Sequence, residues 1–205
     1  MATTELVLFL GPGSSSMAPH IALHEAGAKF RTQTISFAAH QQHDASFLQY
    51  NPLGKVPVLL VGAEPLTEVL AILYYVARTF PAANLWPFTN TLDEALACSW
   101  MSYLASTVQQ ARRQGRDSAY AVYRGVEARL NRGAWAVANQ YSVADIHLFR
   151  IYWRTSASLN FDPDDFPALE RHRKRMLARA SVQATLAAEA AIGYELPDQG
   201  NLSRS

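Results

Sequence analysis

The feature that most constrains the fold is a change of pattern near Pro81. Before it, short runs of strand length alternate with two helical patterns. From Thr91 onward, apolar residues recur at helical spacing and alanine is abundant. A chain of 205 residues is long enough for two domains with separate cores. We place the domains at residues 1–81 and 91–205, joined by a linker at 82–90.

The first domain is predicted to contain four strands and two helices. The strands are expected at residues 5–10, 30–37, 56–61 and 65–67, and the helices at 18–28 and 68–79. The order strand, helix, strand, gap, strand, strand, helix joins a βαβ unit to a ββα unit, which is the thioredoxin-like arrangement. In the second domain the helices are expected at residues 92–113, 118–131, 143–156 and 166–188. The predicted fold class is α/β plus all-α, a thioredoxin-like domain followed by a helical bundle.

Charge and cysteine content limit the possible partners. The 18 basic and 17 acidic residues give a net charge of +1, which provides no electrostatic case for binding nucleic acid or a membrane surface. No apolar run reaches the roughly 18 residues of a membrane-spanning helix, and no basic residue precedes the first apolar run. A cytoplasmic location is therefore expected. Cys98 stands alone in an apolar stretch, so we expect a buried thiol, and no metal site is predicted.

Three serines follow the first predicted strand and precede the first predicted helix. They are Ser14, Ser15 and Ser16, placed after a Pro-Gly turn. Hydroxyl and backbone N–H groups at the start of a helix can stabilise an anion such as a thiolate. They can equally be ordinary helix caps.

Two further motifs have both a structural and a ligand-binding interpretation. In the segment NPLGKVPV, a cis bond between Val56 and Pro57 would leave a strand edge able to pair with a peptide-like ligand, whereas a trans proline on an edge strand is the alternative. Glu68 is expected in the first turn of a helix, where it either complements the helix dipole or accepts a ligand ammonium group. Ser142 and Asp145 have the spacing of a capping box, which we interpret as structural.

Taken together, these motifs resemble the glutathione transferase family, and its bacterial beta-type branch most closely. The similar segments are Pro12 to Phe30, Asn51 to Val58, Glu68 to Phe80 and Ser142 to Ile146. The resemblance covers nearly all of residues 5–190.

The resemblance implies a glutathione S-transferase, with glutathione as co-substrate and a role in detoxification. It places the backbone of Val56, before Pro57, against the cysteinyl part of glutathione, and Glu68 and Val69 at its γ-glutamyl end. It also places Lys55 near the ligand backbone. The helical domain supplies a pocket for a hydrophobic electrophile, for which Tyr103 and Trp153 are candidates, and the family is typically dimeric.

Three positions depart from the beta branch. Ser15 replaces its cysteine, so the expected role is hydrogen bonding to the glutathione thiolate and not a mixed disulfide. Val69 replaces a serine, which removes a hydrogen bond worth about 1.5–3 kcal/mol. Gln109 and Gln110 replace a His-Lys pair; Arg112, Arg113 and Arg116 either supply some of the lost positive charge or form a solvated basic face. Arg112 and Arg116 are four residues apart, which predicts that they share one helix face.

The leading hypothesis is therefore a transferase in which Ser15 stabilises the thiolate for attack on an electrophile. One alternative is a different reaction with the same thiol: ether or halide cleavage, or isomerisation. The other alternative is a non-catalytic binding or interaction protein that keeps the fold.

Overall fold

Contacts divide the chain into two units. The residues that this computed structural model describes are 4–86, 90–137 and 139–195. Those up to Ala83 pack together with those from Gln183 onward. Those from Asn84 to Val182 form the second unit. The predicted fold class, α/β followed by all-α, is confirmed.

The first unit is built on a mixed four-stranded sheet in the order β2-β1-β3-β4. Its strands are β1 (Leu6–Leu10), β2 (Arg31–Thr34), β3 (Val58–Val61) and β4 (Glu64–Thr67). Strand β1 runs parallel to β2 and antiparallel to β3, with Phe9 opposite Val58. Because β1 is central, its side chains are mostly buried, whereas those of the edge strand β2 are largely exposed.

The first unit also contains helices, and the turns between its elements position the candidate site. The helices are α1 (Met17–Glu25), α2 (Ala45–Leu48), α3 (Val69–Thr79) and the later part of α9 (Ala180–Ile192). Helix α1 ends ahead of Gly27, whose φ of 60° allows the N–H of Ala28 to reach the carbonyl of Leu23. The short helix α2 occupies the predicted gap between β2 and β3, where the sequence shows too few apolar positions to reveal a helix.

The second unit is helical. Its helices are α4 (Thr91–Tyr103), α5 (Gln109–Ala111), α6 (Arg116–Leu130), α7 (Val143–Leu159), α8 (Pro167–Leu177) and the start of α9. A π-helical turn at Leu104–Val108 joins α4 to α5. A 3-10 turn at Arg112–Gln114 follows α5.

Two helical predictions were wrong. The single helix expected at 166–188 breaks between Leu177 and Ala180, because the buried positions change phase there, a shift that the alanine-rich sequence hid. Arg112 and Arg116 do not share a helix face, because Gly115 separates them with a φ of 95°.

The predicted capping box at the start of α7 is confirmed. The hydroxyl of Ser142 accepts from the N–H of Ala144, and the carboxylate of Asp145 accepts from the N–H of Ser142 at 2.9 Å. Asp145 is fully buried and also accepts from the N–H of Ala136. The Nε2 atom of His172 lies 3.1 Å from the same carboxylate. The motif therefore joins three segments of the helical unit.

The thiol of Cys98 is exposed, not buried as expected, because it lies on the outer side of α4. Within the described ranges, no helix has both the length and the apolar character that crossing a membrane requires. Nor do those ranges bring together three or more His, Cys, Asp or Glu side chains in a group that could hold a metal ion.

Candidate functional site

The three serines of the first turn have different surroundings. Ser16 is buried, and its hydroxyl donates to the carbonyl of Gly11 and accepts from the N–H of Gly11. The hydroxyl of Ser14 lies 2.8 Å from that of Ser16. Although Ser16 is the N-cap residue of α1, its side chain makes no cap hydrogen bond. These two serines therefore close the turn between β1 and α1.

Ser15 instead contacts the segment that contains the proline. It is half-buried, and its hydroxyl donates to the carbonyl of Val56 over 3.0 Å. The peptide bond between Val56 and Pro57 is cis. The hydroxyl of Ser15 thus bonds directly to this second motif.

Val56 stands just before strand β3 and outside its ladder. Its side chain is buried with Phe9 and Phe47, which fixes its backbone. No hydrogen bond is made by the Val56 N–H to any residue that the structure describes. A free N–H next to a carbonyl, at the end of a strand, is the pattern that an extended peptide ligand uses to add to a sheet.

Asn51 holds the turn that leads into this backbone, a role that the sequence analysis missed. Its side-chain amide donates to the carbonyl of Lys55 over 2.7 Å, and its side-chain oxygen accepts from the N–H of Leu53. Gly54 has a φ of 62° there, and a Cβ at that position would lie 2.9 Å from a backbone carbonyl. The Asn-Pro-x-Gly sequence is typical of such a turn and was the available signal. Lys55 itself is exposed.

Glu68 does not lie in the first turn of a helix, as predicted, but immediately before it. It is the N-cap residue of α3, with φ 68° and ψ 126°, and its side chain makes no cap hydrogen bond. A non-glycine residue in this conformation costs about 1–3 kcal/mol and is found mainly at functional sites. The carboxylate is exposed. Val69 begins α3 with a buried side chain, so its backbone N–H is one of those at the helix start.

A buried acid–histidine pair bonds to the backbone of the turn that carries the serines. Glu189, in the part of α9 that belongs to the first unit, accepts from the N–H of Gly13 over 2.7 Å. Its other oxygen lies 3.0 Å from Nδ1 of His20 in α1. His24 stacks on His20, and burial, then the neighbouring His20 charge, lowers the pKa of His24. Glu189 is 176 residues from Gly13 in the chain, and no local pattern pointed to it.

The residues proposed for an electrophile pocket belong to the second unit. Tyr103, at the end of α4, is half-buried and stacks with the guanidinium of Arg129 at 4.8 Å. Trp153, on α7, is also half-buried. Gln109, on α5, has a buried side-chain oxygen with no hydrogen-bond partner in the part of the chain that the structure describes.

The fold and the first-unit site define a class: a thioredoxin-like unit with a cis-proline segment, followed in the chain by a helical unit. The family model for the glutathione S-transferase N-terminal domain matches residues 4–78, and that for the C-terminal domain matches residues 91–180. The chain belongs to the glutathione S-transferase family.

Individual relatives agree with this assignment. A Xanthomonas campestris protein named glutathione S-transferase GST-4.5 is 30% identical over 203 residues, covering 89% of this chain and 98% of the relative. The structure of a sphingomonad glutathione S-transferase in complex with glutathione matches with a TM-score of 0.81 and 33% identity, over 90% of this chain and 98% of that one. A bacterial beta-class enzyme from Sphingomonas chungbukensis matches with a TM-score of 0.79 and 34% identity, over 89% and 98%.

Proposed function

We propose that the protein is a glutathione transferase that activates the glutathione thiol through Ser15. The observation that carries the proposal is the 3.0 Å hydrogen bond from the Ser15 hydroxyl to the Val56 carbonyl. A cysteinyl group paired with the Val56 backbone would have its thiol within reach of the same hydroxyl. Family membership and a relative solved with glutathione support glutathione as the co-substrate.

The chain's own groups would act in sequence. The N–H and carbonyl of Val56 pair with the cysteinyl backbone of glutathione, and the exposed carboxylate of Glu68 accepts its ammonium group. The N–H of Val69 donates to the γ-glutamyl carboxylate at the start of α3. Lys55, on the surface beside Val56, adds positive charge near the ligand backbone.

Ser15 then supplies the activation. When the cysteinyl N–H pairs with the Val56 carbonyl, the Ser15 hydroxyl can turn and donate to the thiolate. A hydrogen bond to the charged form lowers the thiol pKa and so raises the fraction of the nucleophile at neutral pH. The thiolate sulfur attacks an electrophilic carbon, a C–S bond forms, and the leaving group departs with its electron pair. Because a serine forms no disulfide, this site is not suited to cysteine-type redox chemistry.

Replacing the serine tests this role. In Ser15→Ala we expect the pKa of bound glutathione, followed by thiolate absorbance, to rise, and kcat to fall about ten- to hundredfold, the equivalent of one hydrogen bond to a charged group. Ser14→Ala is the matched control, because the Ser14 hydroxyl lies against that of Ser16 in the same turn. An unchanged thiol pKa and kcat in Ser15→Ala would show that Ser15 has another role.

Val69 provides a second test, in which a substitution is expected to strengthen glutathione binding. Val69→Ser adds a hydroxyl at the first residue of α3, where it can donate to the γ-glutamyl carboxylate. We expect the Kd for glutathione, measured by calorimetry, to fall about tenfold or more. Ala71→Ser, two residues further along α3, is the control for an added hydroxyl. If the wild-type chain shows no glutathione binding at several millimolar, the non-catalytic alternative replaces the transferase.

We also propose a cytoplasmic homodimer that acts in detoxification, as the family resemblance implies. Leu92 and Leu96 lie one turn apart on α4 and are 67% and 44% exposed, which is consistent with contact between two copies. Light scattering after size-exclusion chromatography gives the mass directly. A monomer at micromolar concentration would contradict this part of the proposal.

A further inference from the structure

Two arginines of the helical unit have no described partner for their charge. Arg112 begins the 3-10 turn after α5 and is half-buried, and Arg154 lies on α7 with only 8% of its surface exposed. Within the described residues neither side chain makes a hydrogen bond or an ion pair, and Nη1 of Arg154 is buried without a partner. The charge of Arg112 contributes to lowering the pKa of Arg154, after the larger effect of burial.

Three carboxylates of this unit, those of Glu127, Asp145 and Glu170, bond to other groups. Glu127 accepts two backbone N–H groups at the start of α8. Asp145 is used by the capping box and by His172. Glu170 accepts from Tyr152 and from Arg173. Arg154 is thus nine-tenths buried, and no acid among the described residues makes an ion pair with it. Buried arginines with a structural role are normally paired.

The neighbouring arginines show the ordinary arrangement. Arg116 donates to the carbonyls of Leu159 and Asn160, and its guanidinium lies 4.7 Å from the ring centroid of Tyr120. Arg113 is exposed to solvent. Arg112 and Arg154 therefore differ from Arg116 in lacking a described acceptor, and from Arg113 in being partly or largely buried.

The charges of both groups persist at neutral pH. Burial, and then the charge of Arg112, lowers the pKa of Arg154 to about 10. Burial, and then the charge of Arg113, lowers the pKa of Arg112. The hydroxyl of Tyr123 lies near Arg112, and burial raises its pKa, so it stays protonated and able to donate. A guanidinium fork matches the geometry of a carboxylate, which can accept two parallel hydrogen bonds from it, and a second guanidinium adds positive charge.

We propose that Arg112 and Arg154 bind a carboxylate group of the electrophilic co-substrate, so that the preferred electrophiles are anionic. The identification of the ligand as a co-substrate rests on the transferase function proposed above. The anion site itself is inferred from residues of the helical unit alone. With an aryl chloride that bears a carboxylate, the glutathione sulfur forms a bond to the ring carbon and the C–Cl bond breaks. Chloride leaves with the bonding pair, and the thiol proton passes to solvent.

Paired electrophiles test the charge preference. The probes are para-chloro-dinitrobenzoate and the corresponding benzamide, which differ in charge and little in shape. We expect kcat/KM, divided by the uncatalysed rate constant of each probe with glutathione, to be higher for the benzoate in the wild-type enzyme. In Arg154→Met the benzoate-to-benzamide ratio of kcat/KM should fall about ten- to hundredfold, the factor for one charge-assisted hydrogen bond.

Arg113→Gln is the matched control, because it removes an exposed charge next to Arg112. Its ratio should stay within about twofold of the wild type, since exposed charges contribute little. A wild-type enzyme without preference for the benzoate, or a ratio in Arg154→Met equal to that in Arg113→Gln, would overturn the proposal. Arg154→Lys keeps the charge but loses the fork; it should give an intermediate ratio, and it replaces Arg154→Met if that variant does not fold.

Binding without glutathione separates this proposal from the transferase function. Calorimetry with para-chloro-dinitrobenzoate alone should show binding to the wild type and a Kd about ten- to hundredfold higher in Arg154→Met. Absence of binding to the wild type at several millimolar would overturn the anion site. If the benzoate binds through Arg154 but neither probe is conjugated, the anion site stands and the transferase function fails.

Discussion

Helix α7 carries two groups of buried polar side chains with opposite surroundings. In its first turn, Asp145 is fully buried, accepts two backbone N–H groups and faces His172. One face further along holds His147, Arg150 and Arg154, at the i, i+3 and i+7 positions. Among the residues that the structure describes, neither ring nitrogen of His147 has a hydrogen-bond partner, and Nη1 of Arg154 has none either. One helix thus carries a buried acid that accepts from several donors and, further along, a polar cluster that is incompletely paired.

The difference separates a structural role from a ligand-binding one. A buried acid that is matched on every side ties its segments together, because any alternative packing leaves donors without an acceptor. A buried cation or imidazole without a partner lowers the stability of the free protein, since burial disfavours the unpaired charge. Such a group can be retained because a ligand supplies the missing partner. For Arg154, the proposed partner is the carboxylate of the co-substrate.

The largest expected effect comes from breaking the paired cluster. Asp145→Ala leaves the N–H groups of Ser142 and Ala136, and the ring of His172, without their acceptor. We expect the free energy of unfolding, from urea denaturation, to fall by about 3–5 kcal/mol. Asp117→Ala, at an exposed acid in the first turn of α6, is the control and should cost about 0.3–1 kcal/mol. Equal losses in the two variants would contradict a structural role for the cluster.

The next effect is the pH dependence caused by His147. Burial, and then the charge of Arg150, lowers its pKa to about 3. In the unfolded chain the group titrates near its usual value of about 6.5. Below that pH the unfolded state binds a proton that the native state does not, so stability is lost as the pH falls from about 6.5 toward 3, by roughly 1.4 kcal/mol per pH unit.

His147→Leu tests this assignment, because leucine fills a similar volume and cannot titrate. The free energy of unfolding should be measured between pH 7 and 4. Its slope against pH should be smaller in the variant than in the wild type, by the amount that corresponds to about one proton taken up on unfolding. His40→Asn, at an exposed histidine with a φ of 56°, is the control and should keep the wild-type slope. A wild-type slope in His147→Leu would mean that the proton is taken up elsewhere.

The contrast between the two clusters also shows what the sequence can reveal. The capping box of Ser142 and Asp145 was predictable because both partners lie within four residues. The serine turn and the segment around Pro57 were predictable for the same reason. Each of these motifs is a contiguous pattern with a local physical cause.

The remaining features depend on contacts between distant parts of the chain. Glu189 meets Gly13 across 176 residues, and Arg154 approaches Arg112 from another helix, so neither role follows from local spacing. The exposure of Cys98 depends on which side of α4 faces the core, and the choice is obscured because apolar residues stand on both its exposed and its buried side. The positive φ of Glu68 is fixed by the turn between β4 and α3, and a glutamate gives no signal of it.

The smallest expected effect is that of Arg154→Met. Its change in the free energy of unfolding has the opposite sign to that of Asp145→Ala, so it distinguishes the two clusters directly. Arg154→Met removes a buried charge that has no described partner and leaves an apolar side chain of similar length. We expect the free energy of unfolding of the free protein to rise by about 1 kcal/mol, as when buried charges are replaced by apolar groups. Saturating para-chloro-dinitrobenzoate should reverse the order, since a ligand stabilises only the protein that binds it. A loss of 3 kcal/mol or more (roughly the cost of breaking a buried ion pair) would show that Arg154 is instead a paired structural residue like Asp145.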